Sequence, residues 1–420
     1  MTKSRSVIIC GGGIVGLCTA YSLARAGCAV TVIERNAAGA DSCVHGSAGY
    51  ISPSHVVPLS APGMIWQGMK WMLSSRSPFY IKPRLDADLW RWCWLFARSC
   101  SVAHMRRAAP LLARMSLGSR QLFVEMGAAM NGAFDLQTEG LINLCKTAEC
   151  LDHEAAGLAK IAREVGVEAQ VLNAPQTAAL EPGIRMEVAG CIYFPIDAHL
   201  TPRVFIPALL EQLSRLGVEF LWNTSIKGWR TDGGRITAVS TTAGDLRADD
   251  YVLATGSWAA DTVRGLELRL PMQPGKGYSL TIEQPRFQLK KSIILADRRA
   301  AVTPMGSKLR FGGTMELGGH DGRVRPERIQ QIIDSAQWYF PDFRADDFAG
   351  IEPWFGYRPV SPDGLPYVGR FRKHPNLIAA CGHAMLGLTL APITGQLVGE
   401  IVTGETPSID LALLAPDRFA

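Results

Sequence analysis

The chain has 420 residues, of which 47% are apolar and 19% charged, the balance of a globular protein with room for two domains or one large domain with insertions. A net charge of +5 without a basic run speaks against nucleic acid and leaves anionic ligands or an acidic membrane surface. No apolar run approaches the roughly 20 residues that span a bilayer, and the opening stretch, broken by GGG, does not read as a signal peptide. The ten cysteines show neither CxxC nor CxxH spacing, so reduced thiols, no metal site and a cytoplasmic setting are expected.

In chain order, SVIICG is a short apolar run rich in β-branched residues, the pattern of a buried parallel strand. Leu17, Ala20, Tyr21, Leu23 and Ala24 then recur at helical spacing, Gly27 stands where a helix ends, and AVTVIE forms a second strand. Between the strands GGGIVG supplies three glycines. Gly11 permits the tight turn, Gly13 lets the backbone approach a pyrophosphate, and Gly16 lets helix and strand pack closely. The helix start adds free amides and a partial positive charge. Glu34 closes the second strand, where a carboxylate accepts both ribose hydroxyls and repels a 2′-phosphate. The unit points to a dinucleotide and away from NADP.

A nicotinamide enzyme would continue with alternating strands and helices. Instead comes AAGADSCVHGSAGYISPSHVVPLSAPG, whose small residues let an extended backbone run beside a large flat ligand. Residues 64–98 hold five of the ten tryptophans among Lys and Arg. That mixture suits a membrane interface or a quinone channel, or two helices that pack their indoles as core. Further on, RVFIPALLEQLSRLGV reads as an amphipathic helix, EFLWNTSI as a strand, and IKGWRTDG with RITAVSTTAG as a meander. DYVLATGSWA ends a buried strand at Gly256, where backbone can again approach a ligand. LIAACGHAMLGLTLAPITGQLVGEIVTG is a strand, a Gly-rich turn and a helix. One nucleotide site drawn from the first, middle and last parts of the chain suits a resident cofactor, FAD.

Five segments carry a family resemblance: GGGIVG with Glu34, SAGYISPSHVVPLSAPG, GKGYSLTI at 275–282, GYRPVSPDGLPYVGR at 356–370 and GHAMLGLTLAPITGQ at 382–396. Together they resemble the D-amino-acid oxidase superfamily of flavoproteins, and within it the D-amino-acid dehydrogenases. The resemblance implies an α/β chain with a Rossmann-like FAD-binding domain assembled from 1–50, 200–265 and 350–420. An α+β substrate domain, 51–199 and 266–349, would carry a mostly antiparallel sheet, and EGLINLC, GCIYFPI, GYSLTIE, AAVTPM and KLRFGGTME fit its strands. It implies that Gly11, Gly13, Val15, Gly16, Glu34 and Arg35 bind the ADP half, with Ile226 on the adenine side. Ser47, Ala48 and Gly49 would lie along the pyrophosphate and ring, and Gly382, His383, Gly387 and Thr389 near the flavin's pyrimidine end. FAD is expected to be non-covalent, because no cysteine occurs between Gly356 and Gly369 and His45 is displaced from the position of a tethering histidine.

By the same resemblance Arg358 grips a substrate carboxylate through two hydrogen bonds, a fork that lysine cannot copy. Tyr278 either binds that carboxylate or closes the pocket, unless it is a packed core aromatic. His383 hydrogen-bonds the flavin, or is satisfied by backbone. The implied reaction is oxidation of the Cα–N bond of a D-amino acid, open-chain or cyclic such as D-proline, by hydride transfer. The product is an imine and then a 2-oxo acid or a pyrroline carboxylate. A quinone or other acceptor would take the electrons, with peripheral contact at the inner face of the membrane. Two other readings stay open: an oxygen-using oxidase of glycine, sarcosine or another small amino acid, and a non-catalytic flavoprotein subunit.

Overall fold

The computed structural model describes residues 4–72 and 79–420, so residues 73–78 of the tryptophan-rich insertion lie outside the described residues. Two sheets organise the chain. The first has six strands in the order Glu219–Leu221, Ala29–Ile33, Ser6–Cys10, Asp250–Leu253, Leu377–Cys381, Tyr367–Arg370. The first five run parallel, and the last is an antiparallel edge. Its strands are apolar on both sides because both faces are covered, as parallel sheets require. Ile14–Arg25 and Gly387–Thr403 pack on one face. A three-stranded meander, Ile226–Asp232, Arg235–Thr241 and Gly244–Leu246, closes the other.

The 28-residue helix Val102–Ala129 joins the first of these cores through Ala108, Leu112, Met115, Phe123 and Met126. Ala384–Thr403 corrects the expectation that no apolar run approaches membrane-spanning length. It is 20 residues long and apolar enough to cross a membrane by length and composition, and 72% of its most apolar part is buried inside the protein. Gly395 shows how tightly it is held, since a Cβ there would lie 2.5 Å from the carbonyl oxygen of Cys18.

The second sheet has nine strands and is mostly antiparallel. Its spine runs Trp354–Val360, Gln273–Ile282, Lys308–Leu317, Ala300–Met305, Ser292–Leu295, Leu141–Cys145, Gly190–Phe194, Gln170–Asn173, with Phe79–Ile81 pairing beside Lys308–Leu317. The helix Pro326–Tyr339 backs one face through Ile332 and Ala336. The strand Trp354–Val360, which the sequence boundaries group with the nucleotide-binding segments, pairs here with Gln273–Ile282. It thereby brings Arg358 to an edge of the second sheet. In the insertion, Met64–Met72 and Ala87–Ser99 are helical. Trp92 is buried, while Trp66, Trp90 and Trp94 are 62%, 64% and 56% exposed.

Candidate active site

Between the sheets lies one cavity of about 1690 Å³. That exceeds the several hundred to about a thousand Å³ of an ordinary small-molecule site and leaves room for a dinucleotide beside a small substrate. Gly11, Gly13, Val15, Glu34, Arg35, Ser47, Ala48, Gly49, Ile226, Gly256, Tyr278, Arg358, His383, Gly387 and Thr389 all line it. Gly16 and Gly382 stand behind its wall.

At the nucleotide end each glycine of the fingerprint has a visible reason. Gly11 has a φ of 113°, and a Cβ there would lie 2.5 Å from the Ala254 carbonyl. A Cβ on Gly16 would fall 2.0 Å from the Gly11 carbonyl, so helix and turn touch. Gly13 has nothing within 4 Å of a Cβ and faces open cavity. It is also the N-cap of Ile14–Arg25, with no side chain capping the helix and no acidic residue in its first turn. The free amides at that helix start therefore point into the cavity uncompensated. Gly387–Thr403 begins likewise, without a side-chain cap or an acidic first turn, and Leu386, Gly387, Leu388 and Thr389 line the same space. Two uncapped helix starts in one cavity suit a ligand with a pyrophosphate and a further electron-rich edge.

Glu34 is fixed by two backbone donors, Gly12 N–H at 2.9 Å and Asn36 N–H at 3.0 Å. A carboxylate has lone pairs left for ribose hydroxyls after accepting these. Arg35 lies beside the same rim with its guanidinium 3.7 Å from the centre of the Trp258 ring. Thr389 ties the last helix to the small-residue segment, its hydroxyl donating to the Tyr50 carbonyl at 3.0 Å and accepting from Ser52 N–H at 3.3 Å. His383 is buried, with Nε2 2.9 Å from the Thr394 hydroxyl, and burial holds it neutral with a pKa of about 3.

The substrate end is floored by glycine. Arg358 pairs with Gly275, and Gly356 with Gly277. A Cβ on Gly277 would sit 2.0 Å from Arg358 Nη1, so only a glycine lets the guanidinium lie flat on the strand. One arm donates to the Thr314 carbonyl at 3.0 Å. Among the described residues no carboxylate pairs with Arg358. Burial lowers its pKa, and among the described residues Cys43 opposes that shift. It is a desolvated cation with donors to spare, the state a carboxylate ligand would satisfy.

Tyr278 lines the cavity but pairs with Phe355, three positions along the ladder from Arg358, so alternation turns its side chain to the other face of the sheet. Its hydroxyl lies 3.4 Å from Glu316 and from the Arg323 carbonyl. Burial first, then Glu316, raises its pKa. The ring packs in the core of the second sheet beside Phe355, and its hydroxyl is not aimed alongside Arg358.

Three features escaped the sequence reading. Trp354 spreads over Gly46 and Gly356, where a Cβ would come within 2.0 and 2.2 Å of its ring, and its Nε1 donates to Asp41 at 3.1 Å. Cys43 opens into the cavity near Arg358; burial raises its thiol pKa and the arginine opposes that rise. Arg310, an alternate residue in the strand KLRFGG, binds the 45–47 loop from behind. None carries a motif, and only the fold brings them together. His45 does not line the cavity, and its Nδ1 accepts from Ser42 N–H at 2.9 Å.

Residues 6–401 match the family described as FAD dependent oxidoreductase. The chain is 34% identical over 419 residues to a D-amino acid dehydrogenase of Granulibacter bethesdensis, covering 99% of each chain. It is 32% identical over 419 residues to one of Bradyrhizobium diazoefficiens, again over 99% of each. Among solved structures it superposes on glycine oxidase from Geobacillus kaustophilus with a TM-score of 0.78 at 24% identity, covering 99% and 100%. L-proline dehydrogenase from P. horikoshii gives 0.76 at 19%, covering 100% and 98%. At these identities the likeness to solved structures is one of fold.

Proposed function

The chain belongs to the FAD-dependent oxidoreductase family, and we propose that it oxidises the Cα–N bond of a D-amino acid, open-chain or cyclic, and passes the electrons to an acceptor other than oxygen. The observation that carries this reading is Arg358, a desolvated guanidinium without a carboxylate partner among the described residues, lying over Gly277 in the cavity that the two uncapped helix starts also face. The names of the full-length relatives support it.

Bound FAD supplies a two-electron acceptor, held non-covalently by the amides at Gly13 and Gly387 and by Glu34. Arg358 takes the substrate carboxylate by two N–H donors and fixes the orientation of Cα. Its charge also disfavours a protonated amine, so the substrate nitrogen keeps the lone pair that expels the α-hydrogen as hydride. The Trp354 ring, which lies over Gly46 and Gly356 on the face of Arg358, walls the site and limits water. His383, neutral across the working range, neither gives nor takes a proton. The exposed Trp66, Trp90 and Trp94 with Ile65 and Met69 form an apolar surface suited to peripheral contact with the inner face of a membrane, where a quinone would serve as acceptor.

Anaerobic mixing of the yellow protein with a panel of D- and L-amino acids tests the reaction. D-members bleach the flavin, L-members do not, and air restores the colour slowly. Bleaching by no amino acid contradicts the proposal, and rapid reoxidation by air replaces the dehydrogenase with an oxidase. Acid precipitation tests the attachment: free FAD in the supernatant is expected, and colour retained in the pellet would point to a covalent bond, with Cys43 as the residue to examine.

A further inference from the structure

Arg310 is 5% exposed and has no carboxylate partner among the described residues. Its Nη1 donates to the carbonyls of His45 at 2.9 Å and Ser47 at 2.8 Å, and its Nε donates to the Thr281 hydroxyl at 3.0 Å. No cis peptide occurs among the described residues, and in a planar trans peptide the C=O and the N–H point in opposite directions. Drawing the carbonyls of residues 45 and 47 toward Arg310 therefore turns the N–H groups of Gly46 and Ala48 the other way. That way is the cavity, which Gly46, Ser47 and Ala48 line and Arg310 and His45 do not.

The hydrogen bonds alternate accordingly. His45 N–H donates to the Ser42 carbonyl at 3.1 Å, Ser47 N–H to Val44 at 3.0 Å, and Gly49 N–H to the Ser47 hydroxyl at 3.3 Å. Among the described residues Gly46 N–H and Ala48 N–H have no acceptor. Gly46 is buried and Ala48 half-buried, and both line the cavity, so the two donors are left free for a ligand held there. The Trp354 ring, lying where a Gly46 Cβ would be, clamps the loop on its other side.

We propose that Arg310 is a positioning residue that aims the Gly46 and Ala48 N–H groups as paired donors at the bound flavin, stabilising the negative charge the ring gains on reduction. This rests on FAD occupying the cavity. A hydride brings two electrons and one proton, which leaves the ring one unit more negative. Donors already oriented toward that charge, with a cation behind their peptides, favour the reduced state.

The test is the two-electron midpoint potential of bound FAD in the wild-type holoprotein and in Arg310→Met, Arg310→Lys and Thr281→Val. Arg310→Met is expected to shift the potential to more negative values and to weaken FAD retention. Arg310→Lys keeps the charge on a shorter, unforked side chain that cannot reach both carbonyls while anchored at Thr281, so it falls between. Thr281→Val leaves both carbonyl contacts intact and stays near wild type. If Arg310→Met does not fold, the lysine variant decides: a negative shift supports the proposal and a wild-type potential overturns it. FAD bound at an unchanged potential in Arg310→Met overturns this inference alone. A wild-type protein that takes up no FAD overturns the cofactor reading beneath it.

Discussion

Gly277 and Arg358 form a pair in which the glycine is as necessary as the charge. A methyl group at 277 would lie 2.0 Å from Nη1, so Gly277→Ala is expected to lift the guanidinium off the strand and raise KM at least tenfold while FAD stays bound. Arg358→Leu removes both charge-assisted bonds, each worth about 1.5–3 kcal/mol, and should lower kcat/KM by about two to four orders of magnitude. Steady-state kinetics on holoprotein with matched flavin content check both. Arg358 was legible in the sequence because it stands in a motif. Arg310 was not, because its meaning lies in two carbonyls some 260 residues away in the chain, and no local pattern encodes that meeting. Asp197 is a third case. It is fully buried, accepts from Ser54 at the backbone and the hydroxyl, and burial lifts its pKa to about 7 from 3.8. An acid with a raised folded pKa binds protons that the unfolded chain has lost, so its contribution falls as pH rises from about 4 to 7. Asp197→Asn lacks this titration. The stability difference between variant and wild type should therefore move in the variant's favour between pH 5 and pH 8, and a difference independent of pH would contradict the assignment.

At the scale of elements, the strands and helices that cradle the nucleotide were legible because each has a strong period and a glycine marking its end. SVIIC, AVTVI, DYVL and LIAAC all form strands of the first sheet. The strands of the second sheet were equally readable one at a time. What the sequence could not supply was their order, since Leu141–Cys145 pairs with Ser292–Leu295 across 150 residues, nor the edge position of Trp354–Val360. The long helix Val102–Ala129 was also missed, because its apolar residues are diluted by polar ones and its partners lie at both ends of the chain. A tight contact between elements joins Ile14–Arg25 to Gly387–Thr403 at Gly395. Gly395→Ala places a Cβ 2.5 Å from the Cys18 carbonyl. Such overpacking costs about 1–3 kcal/mol. Because both helices aim their starts at the cavity, the variant should unfold at lower denaturant and release FAD more readily; unchanged unfolding with unchanged FAD affinity would show that this contact is not limiting.

For the whole molecule, acid is the expected weak point. His55 and His199 are held near pKa 4 and His383 near 3 by burial, against the ordinary histidine value of 6.5. Groups with depressed folded values stabilise fully above the unfolded pKa, and that contribution is lost as pH falls from about 6.5 toward 4. Asp197 and Glu181, both raised by burial, work in the opposite sense, but two carboxyls oppose five histidines, since burial lowers His45 and His320 as well. Urea midpoints should therefore drop between pH 7 and pH 5, and a midpoint that rises on acidification would contradict the burial of these rings. FAD adds a second global effect, because a ligand gripped from both ends of the chain stabilises only the folded state. The apoprotein should melt below the holoprotein, and the gap should widen with added FAD. The claim on which the account turns is that Arg358 faces the flavin within one cavity. It is tested most directly by titrating the FAD-loaded protein with trimethylacetate, a carboxylate without an α-hydrogen or an amine, while recording the flavin absorption spectrum. A saturable spectral change in the wild type and none in Arg358→Leu is the predicted result; identical responses in the two proteins, or no response in either, would contradict it.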